Sequence, residues 1–263
     1  MSPWPLLAML LLVLLPVRGY PQEPSVVLPS SVQALLAETA GLADAGERAV
    51  QISTRFLGTP YVANTLGGGA ALPEHLVVRL DAVDCFTFLD YVEALRRSAA
   101  PAEFHNRLAE VRYRDGRIAW ETRRHFFTDW AVAAEGRVAD VTAEVGGNRT
   151  LTADKRLNRK GDAAFYLAGV PVQERSVGFI PGRALDRSVL ERLRSGDYLG
   201  IYSPDPGLDV THVGMVVRAN DRLLFRHASS RQDDRRVIDS DLAVYLAGKP
   251  GIVVLRPLPL LSP

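Results

Sequence analysis

Two hydrophobic periodicities occupy different halves of this chain, and their order limits the fold more than any other feature. Residues 31–58 place Val32, Leu35 and Leu36, then Val50, Ile52, Phe56 and Leu57, at helical spacing, with a break near Gly41–Gly46. A second helical run begins near Cys85 and ends near Ser98, with Phe88, Leu89, Val92 and Leu95 on one side. From Tyr198 the pattern turns to short strand-like runs: 198–202, 212–218, 222–227 and 252–256. Helices first and strands last predict an α+β fold, N-terminal helices packed on one face of a C-terminal antiparallel sheet. Residues 61–80 read as a loop around Gly67-Gly68-Gly69. Glu110 to Glu121 reads as a hairpin around Asp115-Gly116. The polar stretch 140–180 suggests no clear elements, and about 100–180 is read as a middle insertion.

Residues 1–19 stand outside this pattern. The apolar run Leu6 to Leu15 is too short to span a bilayer as a helix. With Val17 and Gly19 after it, the run fits a cleaved secretory signal, although no basic side chain precedes it. Residues 20–30 form an extended, Pro-rich lead-in, and 31–263 form one domain. No second apolar stretch long enough to cross a membrane follows, so the expectation is an exported protein, periplasmic or extracellular. The 31 Lys+Arg nearly balance the 30 Asp+Glu, giving a net charge of +1, which argues against a nucleic-acid partner.

Cys85 is the only cysteine, which excludes an intramolecular disulfide and a Cys-based zinc site. A lone cysteine is often a buried small hydrophobe. This one sits where a helix opens, where unpaired N–H groups and the helix dipole favour thiolate, while Asp84 beside it opposes that effect. A nucleophilic cysteine also needs a base, and the base needs an orienting group. Strands 211–217 and 223–227, joined by a turn near Asn220, put His212 and His227 on one face. They are direct partners if the loop is Ala219-Asn220 and diagonal neighbours if it is Asn220-Asp221. The pair reads as base and orienter, as two metal ligands lacking further partners, or as polar residues closing a sheet end. His75, His105 and His125 are placed on loops or element ends at the surface, His125 being the one of interest.

Gly58-Thr59-Pro60-Tyr61, Asp84-Cys85, Gly196-Asp197-Tyr198 and His212-Val213-Gly214 follow one another in an order that resembles the NlpC-type cell-wall hydrolases, which are papain-like cysteine amidases and peptidases. The match runs over roughly residues 45–256. Phe86-Thr87 stands where that superfamily commonly has Ser-Gly, and Val62 to Leu66 where it has Trp-Gly-Gly. With the block His125-Phe126-Phe127-Thr128-Asp129-Trp130, these departures resemble the branch of N-acetylmuramoyl-L-alanine amidases. The resemblance implies that Cys85 is the nucleophile, with its N–H in an oxyanion hole. It implies that His212 is the base and later the acid, and that His227 fixes the imidazole. Tyr61 would lie near the thiolate, and Asn64, Asp84, Asp129 and Trp130 would contact substrate. It implies no cofactor or metal, and a peptidoglycan or muropeptide substrate cut between N-acetylmuramic acid and L-alanine. Two alternatives stay open. In endopeptidases that cut after γ-D-glutamate, Tyr and Asp at the positions of Tyr61 and Asp84 hold the free amine of an N-terminal L-alanine. A non-catalytic peptidoglycan-binding module would share the fold.

Overall fold

The computed structural model describes residues 30–132 and 138–259; the expected signal, 1–19, and the expected lead-in up to residue 29 lie outside them. The first helical run divides into α1 (Ser30–Thr39) and α2 (Ala45–Ser53), separated at the predicted break. Asp44 caps α2 by accepting from Glu47 N at 2.8 Å. Helix α3 (Cys85–Arg97) is followed by α4 (Phe104–Arg112), α5 (Asp129–Val132), β1 (Val138–Asp140), α6 (Thr142–Gly146), β2 (Leu151–Leu157), β3 (Arg159–Lys160) and β4 (Ala164–Phe165). Then come β5 (Gln173–Pro181), α7 (Arg187–Leu190), β6 (Tyr198–Tyr202), β7 (Val210–Ala219), β8 (Arg222–Ala228), β9 (Val237–Asp241), α8 (Leu242–Leu246) and β10 (Gly251–Pro257).

One antiparallel sheet runs β2-β5-β10-β6-β7-β8-β9, and β1 pairs with β10. The fold is therefore the α+β arrangement that the two periodicities predict. Side chains of α1 to α3 form one core with Tyr198, Val213, Met215 and Val217. The opposite face is also covered: Leu199, Ile201, Val216 and Phe225 pack under Val145, Val189, Leu242 and Leu246 from the short helices α6, α7 and α8. The central strands YLGIY and GIVVL are apolar at nearly every position, the signature of burial on both faces.

Residues 138–181 do not stand apart from this sheet. β5 pairs along β2 and, at its C-terminal end, with β10, so the stretch widens the sheet on one side. The expected hairpin at 110–121 is not formed. Asp115 (φ 55°) and Gly116 (φ 64°) do turn the chain, as their type favours, but they join α4 to a short 3₁₀ segment. The physical reason is that Asp-Gly specifies a turn whatever flanks it, while Phe104, Leu108 and Val111 recur at helical spacing and bury against α3.

Helix α3 is buried almost all round, including its charged side. Asp90 accepts from Arg112 of α4 at 2.8 Å, and Glu93 takes both Arg96 (2.6 and 2.8 Å) and the hydroxyl of Tyr198 (2.7 Å). These pairs let a helix with four charges along it sit inside the core.

Candidate active site

Asp84 is the N-cap of α3, and its Oδ1 accepts from Phe86 N at 3.0 Å and Thr87 N at 2.8 Å. Thr87 Oγ1 accepts from Asp84 N at 2.9 Å, which closes a capping box. This accounts physically for Thr87, one of the departures noted in the sequence: it ties the cap that holds Cys85 in the first turn.

The β7–β8 hairpin turns through Asn220-Asp221, with Asn220 at φ 53°. Its paired ladder stops at Met215–Arg226. The next donor on that edge, Val213 N–H, lies close enough to the Cys85 sulfur to oppose the rise of the thiol pKa, as do the backbone N–H groups of Cys85 and Phe86. The parting strands therefore admit the start of α3, and the thiol lies against the residue after His212. Among the described residues no hydrogen bond joins the thiol directly to the His212 ring.

His212 and His227 are diagonal neighbours in this register. His212 Nε2 lies 2.8 Å from His227 Nδ1, and His227 Nε2 lies 3.2 Å from Ser240 Oγ on β9. Two nitrogens at that separation share a proton, which disfavours the metal-ligand reading. With the proton on Nε2 of both rings, His212 donates to His227, His227 donates to Ser240, and the His212 Nδ1 lone pair is left free as a base. Gly214 is required here: a Cβ would meet the Phe225 ring at 2.6 Å and Arg226 O at 2.7 Å. That ring stacks on His227, with centroids 4.8 Å apart.

Tyr245, on α8, completes the enclosure and carried no signal in the sequence beyond an aromatic in an apolar run. Its ring centroid lies 4.9 Å from His227 and 6.2 Å from His212. Burial, then the charge of Cys85, pushes its hydroxyl up to about 12. Ser240 was missed for a similar reason: only the β8–β9 pairing brings it to His227.

Burial dominates the electrostatics. It pushes the Cys85 thiol up to about 12, with Asp84 adding to the rise and the three N–H groups opposing it. His212 is pulled down to about 3 by burial, His227 and Lys249, and His227 to about 4, chiefly by burial. The resting site therefore holds a neutral thiol and neutral imidazoles.

Tyr61 is brought to this site through a parallel bridge to Val83, and burial and Cys85 raise its hydroxyl. The Arg235 guanidinium lies over its ring, 5.4 Å from the centroid. Asn64 is exposed, at φ 57° in the turn after Tyr61. Asp129 and Trp130 are both buried. Asp129 is buried in an ion pair with Arg175 at 2.8 Å, and Trp130 packs edge-on against Phe86 and Tyr198 in the core. His125 is partly buried against Trp120, with Nε2 2.9 Å from Trp120 O, rather than on the surface.

Residues 51–252 match the model of the AmiA-like family, N-acetylmuramoyl-L-alanine amidase-like. An N-acetylmuramoyl-L-alanine amidase from Bacteroides uniformis has a similar structure at 30% identity and a TM-score of 0.68, covering 81% of this chain and 99% of that one. A protein from Legionella pneumophila has a TM-score of 0.74 at 24% identity, over 88% of this chain and 94% of its own, and shares the fold. Comparison with curated proteins gives no match. A family model that spans most of the chain, over a sheet and helix start of this geometry, leads to one conclusion: the chain belongs to the AmiA-like family of amidase-like hydrolases.

Proposed function

We propose that this protein is an exported, cysteine-dependent N-acetylmuramoyl-L-alanine amidase acting on peptidoglycan or its fragments. One catalytic domain, 31–263, would carry the activity, and residues 1–19 would be the export address. Two observations carry the reading: the His212–His227–Ser240 series, and the Cys85 thiol close to the N–H of Val213, the residue that follows His212. In this reading the Cys85 proton passes to His212 Nδ1 as the sulfur attacks the lactyl carbonyl carbon. The oxygen that becomes negative faces the Cys85 N–H at the helix start. The C–N bond breaks, His212 returns the proton to the alanine nitrogen, and a thioester remains. Water, deprotonated by His212, then releases the lactyl carboxylate and restores the thiol.

Arg235 over the Tyr61 ring supports the amidase reading over the endopeptidase one, because it sets a cation where the latter needs room for an ammonium. Digestion of muropeptides followed by mass spectrometry tests the assignment. The expected products are sugar bearing free lactyl carboxylate and an intact stem peptide, and Cys85→Ala is expected to give neither. Release of an alanyl-glutamate dipeptide, or retained cleavage by Cys85→Ala, would overturn the proposal.

A further inference from the structure

His212 lies on the least supported stretch of β7. Toward β8 the ladder begins only at Met215–Arg226, and among the described residues those before Met215 pair only with β6. On the β6 side the register shifts between the pairs Ile201–His212 and Tyr202–Val210, an irregularity that leaves Thr211 unpaired just before the imidazole. Such a bulge disrupts the ladder locally, so the strand needs a fixed point outside it. Asp209 supplies that point. The residue is 2% exposed, and both carboxylate oxygens are engaged. Oδ1 accepts from Val210 N at 2.8 Å, and Oδ2 accepts from Thr128 N at 2.7 Å and from Thr128 Oγ1 at 2.9 Å. Asp209 O accepts from Ser203 N at 2.9 Å, which closes the loop between β6 and β7.

Thr128 belongs to the block 125–130 singled out in the sequence. Arg175 Nη1 donates to its hydroxyl at 2.7 Å, and the same guanidinium pairs with Asp129 at 2.8 Å. With Arg175 donating to that oxygen, the hydroxyl proton is directed to Asp209. Asp129 in turn accepts from Phe126 N at 3.0 Å. The block lies flat on the sheet at Gly200, where a Cβ would meet Val210 at 2.5 Å and the Phe127 ring at 2.8 Å. At its far end Trp130 packs edge-on against Phe86, the residue after Cys85, with ring centroids 5.9 Å apart. A buried carboxylate just ahead of the base on β7 is therefore joined, through one threonine, to the segment packed against the helix start that bears the thiol. Misplacing reacting groups by about 1 Å costs up to about a hundredfold in rate.

We propose that Asp209 and Thr128 are positioning residues, whose hydrogen bonds hold His212 at the separation from Cys85 that proton transfer requires. The proposal rests on the cysteine–histidine reading given above. The test compares the full chain carrying Thr128→Val, which keeps the shape and removes the hydroxyl, with Thr128→Ser, which keeps the hydroxyl, and with Asp209→Asn. Muropeptide hydrolysis is expected to lose about tenfold in kcat in Thr128→Val and in Asp209→Asn, with KM within about twofold, while Thr128→Ser keeps most of the rate. The double variant Asp209→Asn with Thr128→Val is expected to be no slower than the slower single one, because the two act as a unit. Alkylation of Cys85 by iodoacetamide is expected to slow in Thr128→Val and not in Thr128→Ser, with His212→Gln marking the rate without a base. A urea midpoint for each variant shows that the protein assayed is folded, and if Asp209→Asn does not fold the Thr128 pair decides. Full kcat in Thr128→Val, equal losses in Thr128→Val and Thr128→Ser, a loss confined to KM, or alkylation that falls in His212→Gln but not in Thr128→Val would overturn the proposal and leave the cysteine–histidine reading standing. Hydrolysis and alkylation both unaffected by His212→Gln would overturn that reading and the proposal with it. Should muropeptides resist cleavage altogether, the amidase reading falls and the alkylation series decides the proposal.

Discussion

At the scale of single residues, the direction of the hydrogen bonds between two imidazoles decides whether His212 can act as a base. If Ser240 accepts from His227, the Nε2–H form of both rings follows and His212 Nδ1 keeps its lone pair. If Ser240 donates instead, the series reverses and His212 presents an N–H where a base is needed. Ser240→Ala removes the acceptor without touching the thiol or either ring. It is expected to lower kcat by roughly tenfold, with KM little changed, while Ser240→Thr keeps most of the rate, as for a group that orients a base. Equal loss in both variants, or none in either, would count against the tautomer argument. Tyr245 contributes differently, by keeping water from the imidazoles, and that exclusion is a main cause of their lowered proton affinity.

At the scale of elements, α3 has to place its first turn at the opening of a hairpin while burying four charged side chains. Its pairing with α4 makes this possible. Arg112 and Asp90 are each only 1% exposed in their side chains, and Arg112 also donates to Val77 O at 2.7 Å, in the loop that leads toward Cys85. Arg112→Met would leave a buried carboxylate without its cation, at a cost of about 3–5 kcal/mol. The double variant Asp90→Leu with Arg112→Met removes both charges and is expected to recover most of that loss. Urea unfolding of the three variants checks the coupling: additive losses would show that the pair does not act as a unit. A second contact seats the other end of the layer. Gly46 at the start of α2 and Gly196 before β6 touch backbone to backbone, so that a Cβ on Gly196 would fall 2.2 Å from Gly46 Cα. The Gly-Asp-Tyr motif thus has a packing reason, and its Asp197 holds Arg256 of β10 at 2.7 Å.

At the scale of the whole molecule, burying two neutral histidines ties stability to pH. Their folded values, about 3 for His212 and about 4 for His227, lie below the ordinary 6.5. The unfolded chain therefore binds protons that the folded chain refuses. The contribution is fully present above about pH 6.5 and is lost progressively as pH falls toward the folded values. The urea midpoint is expected to drop between about pH 7 and about pH 4.5, and His212→Gln with His227→Gln is expected to flatten that drop. An unchanged slope in the double variant would place the acid sensitivity elsewhere. The sequence by itself determined the α+β order, the start of α3 at Cys85, the strands after Tyr198 and the shared face of His212 and His227, because each follows from periodicity, capping chemistry or a constant index sum. It did not determine where residues 138–181 belong, since a strand at the edge of a sheet carries no partner in its own pattern. Nor could local spacing tell that Asp129 and Trp130 are buried, or that Ser240, Tyr245 and Arg235 reach the site. Those side chains come from segments brought together by β8–β9 pairing, by the docking of α8 and by the bridges to Pro60 and Tyr61. Only the folded chain brings such distant segments together, because what selects their partners is the burial of both faces of one sheet, a property of the whole chain.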